Sequence, residues 1–416
     1  MKIKAIFNHK HIPDDTHICC IVLTTLLASG LAAYVFAALS QGTVFSAPFQ
    51  FIGIFAFAFA GASVLFPYYK LLFRQQCKSI GLVNKSGMTP RLYRERISKD
   101  NPRVIVLTVK ANSVSLEDFE GKRAAVEAAL NCTIVNMEYG KDHREVIIYA
   151  VHGSAKLPDK LSWSKEKLSS KNFVLSLGQS LLGEVTVNLA DFPHLLIGGA
   201  TGSGKTVLLK LLLMQSYIKG AALYIADLKG GVDFPAAWRK VCNFVTNESE
   251  ALAALEHLVA EIERRKTLLV RAGYENIDEY NVHADTPLQP IIFACDEVAE
   301  LLDKTGRDKD GKALVDALVS ALSKIARLGR AFGIHLFLAT QRPDAGVLIG
   351  QIKNNIPFRI CGVADSTLSM IILDCPDAAT LIPKNTHGRF LLHDGTVFQA
   401  YWCSKGDMNK ELEGSI

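Results

Sequence analysis

The segment GGATGSGKT, residues 198–206, carries the first recognisable chemistry in this sequence. Gly199 is followed by Ala200, Thr201, Gly202 and Ser203, and then by Gly204, Lys205 and Thr206. Glycines at this spacing let backbone amides wrap phosphate oxygens, and a following helix adds partial positive charge at its N-terminus. Lys205 is expected to reach the β- and γ-phosphates of ATP, and Thr206 to bind Mg²⁺. A second candidate is PIIFACDEVAE, residues 290–300, in which an apolar run ends in Asp296-Glu297. Asp296 is placed to hold Mg²⁺ through water, and Glu297 to orient or deprotonate an attacking water. The competing reading makes both acids caps of a following helix. A third run, HLFLATQ, ends at Gln341, either a contact to the γ-phosphate or a strand-end turn residue.

These residues need a scaffold that brings strand ends together. From about 170 onward, apolar strand-like runs alternate with helical ones: HLLIGGA, VLLKLLLMQSYIKG, ALYIAD, a long helix over about 248–271, PIIFACDE and IHLFLATQ. That alternation predicts an α/β unit with a mainly parallel sheet covered on both faces and ligands at the carboxyl ends of the strands. Before it, RVIVLTV, SLEDFEGKRAAVEAAL, CTIVNMEY and REVIIYAVHG read as strand, helix, strand and strand, a small α+β domain over 101–160. That unit has no catalytic constellation, and packing or oligomerisation is the expected role.

The N-terminal part differs in character. Residues 18–39 and 48–66 are two uncharged apolar runs joined by a short connector, each long enough to span a bilayer as a helix. Lys2, Lys4 and Lys10 precede the first, and Lys70, Arg74, Lys78, Lys85, Arg91, Arg94 and Arg96 follow the second. Basic outer flanks predict a transmembrane hairpin with both ends cytoplasmic, and no signal peptide. Residues 1–17 then form a cytoplasmic N-terminus, 67–100 a basic juxtamembrane linker, 170–402 the nucleotide-binding unit and 403–416 a polar tail. The net charge of +5 names no partner, so basic character has to be argued locally. Nine cysteines without a CxxC pair point to reduced thiols rather than to a disulfide framework or a zinc site.

Six blocks together resemble the FtsK/SpoIIIE-type DNA translocase motors over about 170–395: PHLLIGGATGSGKT, ADLKGGVDF, EIERRKTLL, ACDEVAELL, GRAFGIHLFLATQRP and GQIKNNIPFRI. The resemblance implies a RecA-like P-loop ATPase that assembles as a ring hexamer and pumps double-stranded DNA through its centre. It implies that Arg330 reaches the γ-phosphate bound by the neighbouring subunit, with Arg327 as substitute or helper. Their alternative role is as cations at a helix C-terminus. It also implies sequence-tolerant DNA-backbone contacts from two loops, one carrying Lys304, Arg307, Lys309 and Lys312, the other Arg342 and Lys353, with solvated surface as the rival reading. Asp227 and Lys229 are expected to support the site, and EIERRKTLL to lie at a subunit contact or in plain solvent.

Three departures refine the expectation: no long linker after the membrane part, no winged-helix reader, and LIPKNTHGRFLLHDG where the family has a Gly-rich segment. The sequence is therefore most similar to the FtsK-like coupling proteins of conjugative plasmids and integrative elements in Gram-positive bacteria. Those proteins feed DNA to a membrane channel and meet relaxase and secretion-channel proteins. A chromosome-partitioning pump of the same family and a type VII protein-secretion ATPase are the alternatives.

Overall fold

The computed structural model describes residues 68–99, 101–341 and 350–414, with seven scattered helical residues between 28 and 39. The two apolar runs otherwise lie outside the described residues, as does Arg342. Among the described residues no helix is long and apolar enough to cross a membrane. The chain divides into two compact units, Met1–Lys156 and Leu157–Ile416.

The first unit holds a four-stranded antiparallel sheet of order β1-β2-β4-β3. Its strands are β1 (Arg91–Ile97), β2 (Ile105–Lys110), β3 (Cys132–Tyr139) and β4 (Glu145–His152). The helix expected after Ser115 forms as two pieces, Leu116–Gly121 and Arg123–Leu130. Ser115 caps the first through a reciprocal pair with Asp118. Gly121 weakens the helix at the break. The segment 67–100 is not a linker. It contributes the helix Tyr68–Ser79 and all of β1, because Phe73, Cys77, Leu82 and Leu92 bury their side chains in the same core as Val109, Phe119 and Ile148.

The second unit is built on an eleven-stranded sheet of order β10-β9-β11-β12-β8-β13-β14-β15-β6-β7, with β5 paired to β15. Its strands are β5 (Leu161–Ser162), β6 (Val174–Ser180), β7 (Gly183–Asn188), β8 (His194–Gly198), β9 (Ala222–Ala226), β10 (Asn243–Val245), β11 (Ile291–Cys295), β12 (Ile334–Thr340), β13 (Phe358–Cys361), β14 (Arg389–Leu392) and β15 (Val397–Trp402). Pairing is parallel from β10 through β13 and antiparallel from β13 through β7, so the sheet is mixed and the nucleotide-loop half is its parallel half.

Strand alternation divides the core in two. On β12, Phe337 and Ala339 face the layer of the helix Lys205–Ile218, while Ile334, Leu336 and Leu338 face the helices Glu248–Ala272 and Lys309–Leu328. Strands buried on both faces read as continuous apolar runs, which is why they stood out in the sequence. The polar tail expected over 403–416 folds instead: Ser404 caps the helix Lys405–Glu413, and Met408 and Leu412 are buried in the core. The small domain also ends earlier than expected: 157–160, assigned to it by the sequence, and 161–169, left unassigned, both belong to the second unit, to which the β5–β15 pairing ties them.

Candidate nucleotide site

The loop 199–204 leaves the carboxyl end of β8 and enters the helix Lys205–Ile218. Its shape requires glycine at two points. Gly204 has φ +98°, and a Cβ there would lie 3.0 Å from the Gly388 nitrogen. At Gly199 a Cβ would meet the Ser203 hydroxyl at 2.6 Å. That hydroxyl is buried with no hydrogen-bond partner, an orphaned polar atom inside the phosphate cradle.

The sequence-predicted residues converge here from three parallel strands. Thr206 Oγ1 donates to Asp296 Oδ1 at 2.9 Å. Lys205 Nζ donates to the Asp296 carbonyl at 3.0 Å and lies 3.6 Å from its carboxylate. Both Lys205 and Asp296 are buried. A hydroxyl and a carboxylate meeting at one point are hard oxygen donors, the set that suits Mg²⁺ held with waters and phosphate oxygens. Glu297, also buried, accepts from Thr340 Oγ1 at 2.7 Å and from the Gln341 amide at 3.1 Å. The Gln341 side chain turns to the loop, where its Oε1 accepts from Thr201 Oγ1 at 2.9 Å. Carboxylate, strand end and phosphate loop are thereby joined in one hydrogen-bonded chain, which fixes the geometry before any ligand arrives.

Lys229, after β9, supplies a further cation, 3.3 Å from Asp233 and 3.8 Å from Asp296. Burial disfavours its charged ammonium form, but the Asp296 and Asp233 carboxylates outweigh that, and its pKa rises. Asp227 Oδ1 accepts from the Lys229 amide at 3.0 Å, which fixes the turn that carries Lys229. The segment standing in for the family's Gly-rich stretch packs directly on the phosphate loop. The His387 ring hydrogen-bonds the Gly202 carbonyl at 2.8 Å, and the Gly388 amide donates to the Ser203 carbonyl at 2.8 Å. Together the loop, Lys229, Asp233, Gln341, His387 and residues from β15 line a cavity of about 670 Å³.

A sequence model of the FtsK/SpoIIIE family matches residues 157–345. The chain is 35% identical to the pCW3 conjugation coupling protein TcpA, in a structure of its monomer form with ATPgS. That match covers 83% of this chain and 99% of TcpA, with a TM-score of 0.62. The chain belongs to the FtsK/SpoIIIE family. It is 30% identical to the DNA translocase FtsK of Shewanella oneidensis, covering 71% of this chain and 36% of that protein. With FtsK of Staphylococcus aureus the figures are 34%, 53% and 29%. The chain thus spans about a third of the length of the curated relatives it matches. EssC from Geobacillus thermodenitrificans (ATPases 2 and 3), 18% identical at a TM-score of 0.52, shares the fold.

Arg330 of this FtsK/SpoIIIE unit is not at the phosphate loop. It sits in the turn Gly329–Phe332 before β12, and its Nε donates to the Ala190 carbonyl just before β8, at 3.0 Å. Both strands begin there, so Arg330 lies at the opposite edge of the sheet from the cradle and cannot serve its own subunit's phosphates. Arg327 is exposed at the end of the preceding helix, off the buried stripe of Leu318, Leu322 and Ile325. Three of the sequence-predicted DNA residues are paired with acids. Lys304 pairs with Asp316 at 2.5 Å, Arg307 with Glu248 at 3.0 Å and Lys353 with Asp374 at 2.6 Å. Lys309 and Lys312 stand exposed in the first turn of the helix Lys309–Leu328.

Sequence reasoning missed one structural arginine. Arg265, expected on a charged helix face, is buried and donates to the carbonyls of Phe332 at 2.7 Å and Gln289 at 2.8 Å. The signal was present: Leu258, Ile262, Arg265 and Leu269 fall on one buried stripe at helical spacing.

Proposed function

We propose that this chain is a membrane-anchored, ATP-driven DNA translocase acting as a conjugative coupling protein that delivers DNA to a transfer channel. The likeness over 99% of the TcpA chain carries the reading. The intact cradle of Lys205, Thr206, Asp296, Glu297 and Gln341 supports ATP hydrolysis as its driving step. Lys205 holds the β- and γ-phosphate oxygens, while Thr206 and Asp296 are the residues that would hold Mg²⁺. A Mg²⁺ held there would supply positive charge to the phosphate oxygens. Glu297, fixed by Thr340 and the Gln341 amide, orients the attacking water and takes its proton. Gln341, already in contact with the phosphate loop, registers whether a γ-phosphate is present. Arg330, at the far edge of the sheet, stabilises transferring phosphoryl charge in the neighbouring subunit of a ring, in the family's case a hexamer.

DNA is gripped through its backbone by the loop and helix start carrying Lys304, Arg307, Lys309 and Lys312, and by Arg342 and Lys353, without base readout. The apolar runs 18–39 and 48–66 with their basic flanks anchor the chain in a bacterial cell membrane with both termini cytoplasmic, where relaxase and channel proteins are its partners. A chromosome-partitioning pump is the second reading, favoured by the 30% identity to Shewanella FtsK.

One assay tests the core of this proposal. Double-stranded DNA should raise ATP hydrolysis by the detergent-solubilised full chain, with stimulation lost at high salt. Stimulation by a secreted polypeptide but by no DNA would remove the translocase reading.

A further inference from the structure

The cavity at the phosphate loop has a second end that the phosphate chemistry does not use. It is lined by Asp159, Lys160, Tyr401 and Trp402. Its volume of about 670 Å³ exceeds what a phosphate chain needs and suits a whole nucleotide. The strand order explains why these residues face the loop. β15 lies three strand spacings from β8, across β13 and β14, or about 14 Å at ~4.8 Å per spacing. Two successive antiparallel pairings, β13 with β14 and β14 with β15, make β15 run in the same direction as β8. Trp402, at the carboxyl end of β15, therefore stands at the same sheet edge as the phosphate loop. The register sets Val397 level with Gly198, through Cys361 and Leu391, so Trp402 extends beyond the end of β8 on the side of the phosphate loop.

The local structure presents the indole rather than burying it. Trp402 is 40% exposed while Tyr401 beside it is buried. Its backbone is fixed by β5, which pairs Trp402 with Ser162, and by the Trp163 amide, which donates to the Trp402 carbonyl at 2.9 Å. A rigid strand thus carries a solvent-facing ring. Lys160, just before β5, places its Nζ 3.7 Å from the centroid of that ring. An ammonium over an indole face is a weak, exposed cation–π contact, easily exchanged for a better partner.

We propose that the Trp402 face is the stacking platform for the nucleotide's base, and that Lys160 covers it until the base takes its place. The proposal rests on the reading of the phosphate loop as an ATP site and adds the other half of the ligand. Stacking uses the π-face common to all bases, so the platform supplies affinity without by itself selecting adenine.

Isothermal titration of the full chain in detergent with ATPγS and, separately, with inorganic tripolyphosphate separates base from phosphate. Trp402→Ala should weaken ATPγS binding about tenfold and leave tripolyphosphate unchanged, since tripolyphosphate has no base to stack. Trp402→Phe, which keeps an aromatic face, should retain most of the affinity. Lys160→Met should uncover the ring and raise the preference for ATPγS over tripolyphosphate about two- to fivefold. The proposal is overturned if Trp402→Ala leaves the ATPγS affinity unchanged, or weakens both ligands equally. It is also overturned if Lys160→Met lowers the ATPγS preference. If Lys205→Ala costs neither ligand any affinity, the phosphate-loop reading itself fails, a result distinct from those.

Discussion

Arg265 offers the sharpest test of how the fold holds the sheet edge that carries Arg330. Its guanidinium is 3% exposed and ties three elements: Glu261 on its own helix at 2.7 Å, the Gln289 carbonyl before β11, and the Phe332 carbonyl in the turn that carries Arg330. Arg265→Met keeps the length and the apolar stem but removes every donor. Two hydrogen bonds from a charged donor to buried carbonyls are worth about 1.5–3 kcal/mol each. The desolvation that the arginine no longer suffers returns part of this, leaving a net loss of about 3 kcal/mol. Glu261 keeps Arg264 as a partner, so no carboxylate is stranded. Urea unfolding of the full chain reads the loss directly, and Arg265→Lys, with no fork to span two carbonyls, should lose nearly as much. The functional consequence is a split. Released from Phe332, the Arg330 turn loses its position, so hydrolysis in the DNA-bound state should fall. Nucleotide affinity should hold, because the cradle lies at the other edge of the sheet. Unchanged unfolding and hydrolysis in Arg265→Met, or a nucleotide affinity that falls in step with hydrolysis, would refute this reasoning.

Three further outcomes follow from the same geometry. Glu297→Gln should lower hydrolysis by about 10²- to 10⁴-fold while ATPγS still binds, checked by steady-state kinetics beside titration; loss of binding instead would make Glu297 structural. Mixing Arg330→Ala subunits with Lys205→Ala subunits, each inactive alone, should recover hydrolysis at junctions pairing an intact arginine with an intact lysine. Normal hydrolysis by Arg330→Ala alone would end the assignment. Burial holds His194 down at about 3 and His335 at about 4, from an ordinary 6.5. The unfolded chain then binds more protons below about pH 6.5, so stability is full above that value and is lost as pH falls toward 4. At one unit below 6.5 the pair costs about 3 kcal/mol, and urea midpoints at pH 7.5 and 5.5 should show about half that pH dependence in His335→Gln.

What the sequence made legible was local or periodic. Gly199 to Thr206 sit within one loop, and Asp296-Glu297 and Gln341 end runs apolar enough to be read as core strands. What stayed hidden depends on contacts between distant segments. The His387 ring meets a carbonyl of Gly202, and Thr340 meets Glu297, pairings that no spacing rule announces. Trp402 acquires meaning only once β15 is known to run beside β14 and parallel to β8. Elsewhere the signal was present but outweighed. Basic residues around Phe73 and Cys77 masked an i, i+4 apolar pair that docks a helix, and the charges of EIERRK masked Arg265 on a buried stripe.

β12 shows why these pieces belong to one device. It is seven residues long, about 20 Å, and every residue in it is buried. Arg330 precedes it and Gln341 follows it, each held by a hydrogen bond to the neighbouring β8 region, through Ala190 at one end and Thr201 at the other. A strand pinned on both sides within a close-packed sheet does not bend, so it transmits displacement rather than absorbing it. On the proposed reading, one end of β12 senses this subunit's γ-phosphate and the other faces the phosphate bound next door. Loss of a γ-phosphate that shifts Gln341 must then either break its bonds to Thr201 and Glu297 or carry the strand with it. The first choice decouples neighbouring sites and the second couples them. Gln341→Ala, which removes the Thr201 contact while keeping the backbone amide on Glu297, should therefore lower the cooperativity of hydrolysis more than the affinity for nucleotide.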